Sequence, residues 1–119
     1  MLPALSWAYE PGRAKNNYSH ELAECATFYL LGAESVRRTG DNELAGQLTY
    51  SANIAMLMSA KLNNKEVLEA RIKMATDEQM KLMKHDYSNT SILLEKYKDS
   101  CKFAIENSDK RLQYWLDKK

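Results

Sequence analysis

From about residue 18 to residue 117, apolar side chains return every three or four positions, the period of helices that bury one face. Leu22, Ala26, Tyr29, Leu30, Ala33 and Val36 trace the first stripe and predict a helix over about 18–39. Ser19 or Asn17 can cap its start, Arg37 and Arg38 suit its negative end, and Gly40 can stop it. Pro3, Pro11 and Gly12 argue against helix before about residue 16. Asp41 is a natural N-cap for a second helix, with Leu44, Leu48, Ala52, Ala55, Met58 and Leu62 on one face. Asn63 followed by Glu66 has the spacing of a capping box and opens a third helix carrying Leu68, Ile72, Ala75, Gln79, Leu82 and Met83. Glu69 with Lys73, and Asp77 with Lys81, mark its solvated side.

The turn-rich stretch "HDYSNTS" ends that helix. A fourth helix over about 90–106 points Leu93, Leu94, Tyr97, Cys101, Ala104 and Ile105 inward. After "ENSD", with Ser108 as cap, a last helix over 109–117 offers Leu112, Trp115 and Leu116 to one end of the core. No segment alternates like a strand. Four amphipathic helices with short breaks predict an all-α fold, an antiparallel up-down-up-down four-helix bundle with a short fifth C-terminal helix. The bundle domain is expected over residues 17–119, preceded by a segment of residues 1–16.

That leading segment has two readings. "MLPALSWAYEPG" begins with an apolar piece ending in Ser6-Trp7-Ala8, whose small residues are spaced as at a signal-peptidase cleavage site. No positive region precedes it, so it reads either as the remnant of a signal peptide or as an N-terminal arm with Trp7 and Tyr9 packed on the body.

The 119 residues suit one domain able to bury a core without staples. Residues 1–59 hold four basic and six acidic groups and residues 60–119 hold thirteen and ten, with the signs interspersed. No basic run follows a nucleic-acid backbone, so nucleic acid is not an expected partner. The longest apolar runs, such as "ANIAMLMSA", are too short to span a bilayer, so no membrane insertion is expected.

Two cysteines, Cys25 and Cys101, fall on predicted core faces. A free buried cysteine serves as a small hydrophobe. The predicted topology offers more, because the first and fourth helices are antiparallel neighbours. Cys25 lies about 10 Å from the start of its helix and Cys101 about 8 Å from the end of its own, at about 1.5 Å per residue. The two cysteines are therefore level, and a disulfide between them is expected. Such a bond would close a loop of about 75 residues and contribute roughly 4 kcal/mol. Disulfides persist in oxidising compartments, which predicts a periplasmic or secreted protein.

Recognisable chemistry is sparse. There is no C-x-x-C, G-x-S-x-G, P-loop or G-x-G-x-x-G. His20 is about 200° round the helix from Leu22 and faces water, while His85 sits at a frayed end. The residues three before them, Asn17 and Leu82, break the Glu-x-x-His pattern of di-iron bundles. No metal, haem or other cofactor is expected. Glu21 and Glu24 share a face and read as solvated carboxylates. Asn17-Tyr-Ser19 and Asn89-Thr-Ser91 match the N-glycosylation pattern. Tyr87, Tyr114 and Trp115 are candidates for a partner surface, since aromatic residues carry interface energy. Tyr29, Met58, Met83 and Tyr97 are candidates for an interior ligand pocket, with core filling as the plainer role of the methionines.

"ELAECATFYLLGAESVRRTG" with the later "SILLEKYKDSCKFAIENSDKRLQYWL" resembles a loose group of small bacterial or phage-borne helical proteins with one cysteine in the first helix and one near the end. The resemblance spans about residues 19–116 and implies export and a helical fold, with no known activity. The expected function is that of a non-enzymatic exported helical protein that binds a protein partner, as adaptor, accessory or inhibitor. A homodimer is one candidate assembly. The alternative is a binder of a small ligand or metal in the bundle interior.

Overall fold

The computed structural model describes residues 11–118. Among them are five α-helices and no strand: α1 (Pro11–Arg38), α2 (Asn42–Leu62), α3 (Lys65–Leu82), α4 (Thr90–Glu106) and α5 (Ser108–Asp117), with a single 3₁₀ turn at Tyr87–Asn89 before α4. The fold is an all-α bundle with a short C-terminal helix, as the periodicity predicts. The signal-peptide reading, and the packing of Trp7 and Tyr9, lie outside the described residues.

α1 starts earlier than its apolar stripe. It begins at Pro11, so residues 11–16 belong to the bundle rather than to a preceding arm. Proline suits the first helical position, where its missing N–H is not needed and its fixed φ is already helical. Ala14 and Tyr18 are buried as a result. α2 opens where expected, with the Asp41 carboxylate accepting from the Leu44 N–H at 3.0 Å. The cap of α3 falls one residue later than the Asn63–Glu66 spacing suggests: Asn64 Oδ1 accepts from Val67 N at 2.9 Å. Asn63 instead donates its amide to Asn16 Oδ1, which also accepts from the Arg71 guanidinium at 2.6 Å. α3 ends in two successive residues of positive φ, Lys84 (56°) and His85 (57°), and His85 N donates back to Met80 O at 2.8 Å.

α1 is the axis of the molecule and packs against each of the other four helices. Its partners identify their directions. Against α2, Ser19 meets Ser59 and Gly32 meets Leu48. Against α4, Tyr18 Oη donates to Ala104 O, Cys25 joins Cys101, and the Ser35 hydroxyl meets that of Thr90. Both sets run in reverse chain order. Against α3 the order is the same, Asn16 with Arg71 and Glu24 O with Gln79 Nε2.

The α1–α2 contact is the most extensive between described helices, and small residues line it. Ser19 and Ser59 are buried, and each hydroxyl donates to the other residue's carbonyl, at 3.0 and 2.8 Å. The same register sets Ala26 opposite Ala52 and Ala33 opposite Ala45, one heptad at a time, and all four are buried. Two helices with nothing larger than a methyl or hydroxyl on this line can approach closely.

The larger side chains form two clusters. One surrounds the crosslink: Cys25, Phe28, Leu31, Met83, Leu93, Tyr97 and Cys101. The other joins Tyr18, Leu22 and Ala104 to Met58, Leu62, Leu112 and Trp115, where α5 folds back on the body.

Candidate binding groove

Cys25 and Cys101 form a disulfide, with Cα atoms 5.4 Å apart, the pairing expected from the sequence. The bond fixes the middle of α1 to α4. Beyond it, towards the C-terminal end of α1, α2 and α4 flank α1 without meeting over it. Leu44 and Leu94, which the periodicity assigns to the core, are 38% and 46% exposed there. Periodicity identifies the face turned to α1 but not whether a neighbour closes over it.

The gap is an apolar groove of about 400 Å³. Gly32 is its floor, where a Cβ would come 3.6 Å from Leu48 Cδ1. Phe28 and Tyr29 make one wall, their rings 5.0 Å apart, and Leu44 and Leu94 form the lips. The groove closes on a polar knot: Ser35 Oγ donates to Tyr87 O at 3.1 Å, and Thr90 Oγ1 donates to Ser35 Oγ at 2.8 Å. These bonds use up the hydroxyls, so what the groove offers a ligand is apolar surface.

Of the four residues expected to line an interior pocket, Tyr29, Met83 and Tyr97 pack in one cluster around the disulfide, and Met58 lies apart from them, in the other cluster. Tyr29 alone of the four lines the groove.

The three aromatic residues expected on a partner surface are also separated. Tyr87 is at the groove end, with the Arg38 guanidinium 4.2 Å from its ring centroid. Tyr114 and Trp115 are at the opposite end of α1, packed edge to face at 5.2 Å. Trp115 is turned inward, and its Nε1–H donates to Glu21 Oε1 at 2.9 Å. Arg111 Nε donates to the same carboxylate at 2.9 and 3.1 Å, and its Nη2 also donates there. Glu21 is therefore not a solvated carboxylate. Its side chain is only 13% exposed, clamped by two residues of α5 that lie 90 or more positions away in the chain. Removing the cation leaves a largely covered charge without its main partner. Arg111→Ala is expected to cost about 2–3 kcal/mol, less than a fully buried pair because water reaches the rim. Urea unfolding measures the loss, and the fluorescence of Trp115 reports the release of α5.

A second, polar cleft of about 220 Å³ lies beside the disulfide, between Glu24, Lys96, Ser100 and Arg111. Burial raises the Glu24 carboxyl above its ordinary value of 4.5, eased by His20 and Lys96 and reinforced by Glu78 and Glu21. Folding thus favours protonated Glu24, and the stability it contributes falls as pH rises from 4.5 upward. Glu24→Gln is expected to be more stable than the parent at neutral pH, with the gain gone in acid. Paired urea melts at the two pH values check this. Tyr18 and Tyr97 are pushed up to about 12, in both cases chiefly by burial.

Both glycosylation-like triplets have a member held by a hydrogen bond. Ser19 is locked against Ser59, and the Asn89 amide donates to Met83 O at 2.9 Å. Among the described residues no three His, Cys, Asp or Glu side chains converge as metal ligands, and no helix is long and apolar enough to cross a membrane. No known protein family, curated protein or solved structure matches this chain.

Proposed function

We propose that this protein is a non-enzymatic, exported helical module that binds a protein partner, as an adaptor, accessory factor or inhibitor, by accepting an apolar segment in the α1–α2–α4 groove. The observation that carries the reading is the groove itself: a concave apolar surface with two leucines exposed at its lips, on a scaffold held by a covalent bond. Exposed apolar concavities of this size suit a partner's amphipathic helix or extended segment. The disulfide supports a home in the periplasm or outside the cell, because reducing compartments do not maintain such bonds.

A photoreactive residue placed at Leu94 or Leu44 tests the reading in the native cell. It should crosslink to one protein in the exported fraction, whereas the same group at Met74, 62% exposed on α3, should not. Leu94→Glu should weaken that capture about thirtyfold, the effect of losing one anchor of about 2 kcal/mol. A small molecule retained in the native mass spectrum, with no protein adduct, would favour the alternative of a ligand binder.

A further inference from the structure

α2 has a second face that is left exposed among the described residues. Between Glu43 and Lys61 lie seventeen consecutive residues without a charge, in a chain that is 28% charged, while α3 carries eight charges in 18 residues. An outer helix ordinarily places charges on the side away from its core. Here that side holds Tyr50 and Leu57, each 67% exposed, seven residues apart and turned away from the buried Ala52 and Ala55. Gly46 lies on the same side, one turn before Tyr50, and a Cβ there would meet nothing within 4 Å. Glycine weakens an exposed helix interior relative to alanine, and no contact among the described residues calls for it. Gly46, Tyr50, Asn53, Leu57 and Ala60 repeat at four- and three-residue steps, the spacing of a coiled-coil seam.

We propose that two copies of the chain pair through this face, with their α2 helices antiparallel about a two-fold axis between Ser51 and Ala52. In that register Leu57 of each copy enters the space left open at Gly46 of the other, and Tyr50 meets Asn53. Glu43 of each copy comes beside Lys61 of the other, so the two charges that bound the neutral stretch pair at both ends. A parallel arrangement would set glutamate against glutamate, lysine against lysine and leucine against leucine. The two-fold symmetry accounts for a glycine, a leucine and two charges that have no partner among the described residues of the single chain. The seam is about 20 Å long at about 1.5 Å per residue, which makes a small interface and a weak, concentration-dependent dimer.

Sedimentation velocity of the oxidised full-length chain, from micromolar to millimolar, tests the proposal. The expected result is a reversible rise in mass from 13.7 kDa towards twice that value. Leu57→Glu and Gly46→Leu should each abolish the rise. Gly46→Leu should also leave the melting temperature of the dilute protein unchanged or higher, which separates loss of pairing from loss of folding. Glu43→Lys alone and Lys61→Glu alone should each weaken the dimer about tenfold, because every exposed pair occurs twice. The double exchange should restore it. Leu94→Glu, in the groove, should leave self-association unchanged, so that failure here and failure of the groove reading are distinct results. A chain that stays monomeric throughout, a dimer indifferent to Leu57→Glu and Gly46→Leu, a dimer broken by Leu94→Glu, or a double exchange no better than the single ones would overturn the proposal.

Discussion

Replacing Cys25 and Cys101 together by alanine is expected to lower the unfolding free energy by about 4 kcal/mol, the largest single effect we predict for this chain. The two cysteines are 76 positions apart, so the bond removes a great deal of freedom from the unfolded chain and little from the folded one. Domains of this size have about 5–15 kcal/mol in all, so the variant keeps its helices but loses much of its margin. Urea unfolding of the oxidised parent, the reduced parent and the double variant divides the loss. Reduction alone reports the crosslink, and any excess in the variant reports the packing of two sulfur atoms in the larger core cluster. A reduced parent that unfolds at the same urea concentration as the oxidised one would refute the expectation.

Ala52→Leu is expected to cost about 3 kcal/mol, although leucine is a better hydrophobe than alanine and a comparably good helix former. Ala52 is fully buried on the line where α1 and α2 touch, opposite Ala26, with Ser19 and Ser59 bonded one heptad further on. Three added carbons have no space there. They would push the helices apart, break the reciprocal serine bonds and open the seam along its length. Thermal unfolding followed by circular dichroism checks the loss. Gly46→Leu is the internal comparison: the same side chain on the far side of the same helix should leave the folded monomer as stable as before or more so.

Much of the fold can be read from the chain because helix periodicity is local. Leu22, Ala26, Ala52, Ala55, Leu93, Tyr97 and Cys101 are buried where their spacing puts them. The disulfide joins the two cysteines that the sequence singles out, but the length argument starts from too short a first helix: α1 begins at Pro11, fourteen residues before Cys25, and the contact of Tyr18 with Ala104, not the helix ends, sets the level of the bond. What depends on neighbours is not visible in this way. Leu44 and Leu94 carry the spacing of core residues yet border an open groove, because periodicity states which way a side chain points and not what stands opposite it. The clamp on Glu21 joins residues 90 and 94 positions apart, and no local pattern distinguishes Arg111 from any other helix-surface cation. The start of α1 is missed for a different reason: Pro11 breaks a helix in its interior but begins one well, and position alone decides which.

The arrangement around α1 also dictates an order of events during synthesis. α2 follows α1 within a few residues and can zip onto its serine and alanine stripe as soon as both emerge. The groups that secure the rest of α1 arrive far later: Tyr18, Glu21 and Cys25 wait for Ala104, Arg111 and Cys101. A nascent chain therefore carries a helical hairpin with one oily flank bare until Cys101, Ala104 and Arg111 have been made. The covalent bond can close only after α4 has been made, late in the life of the growing chain.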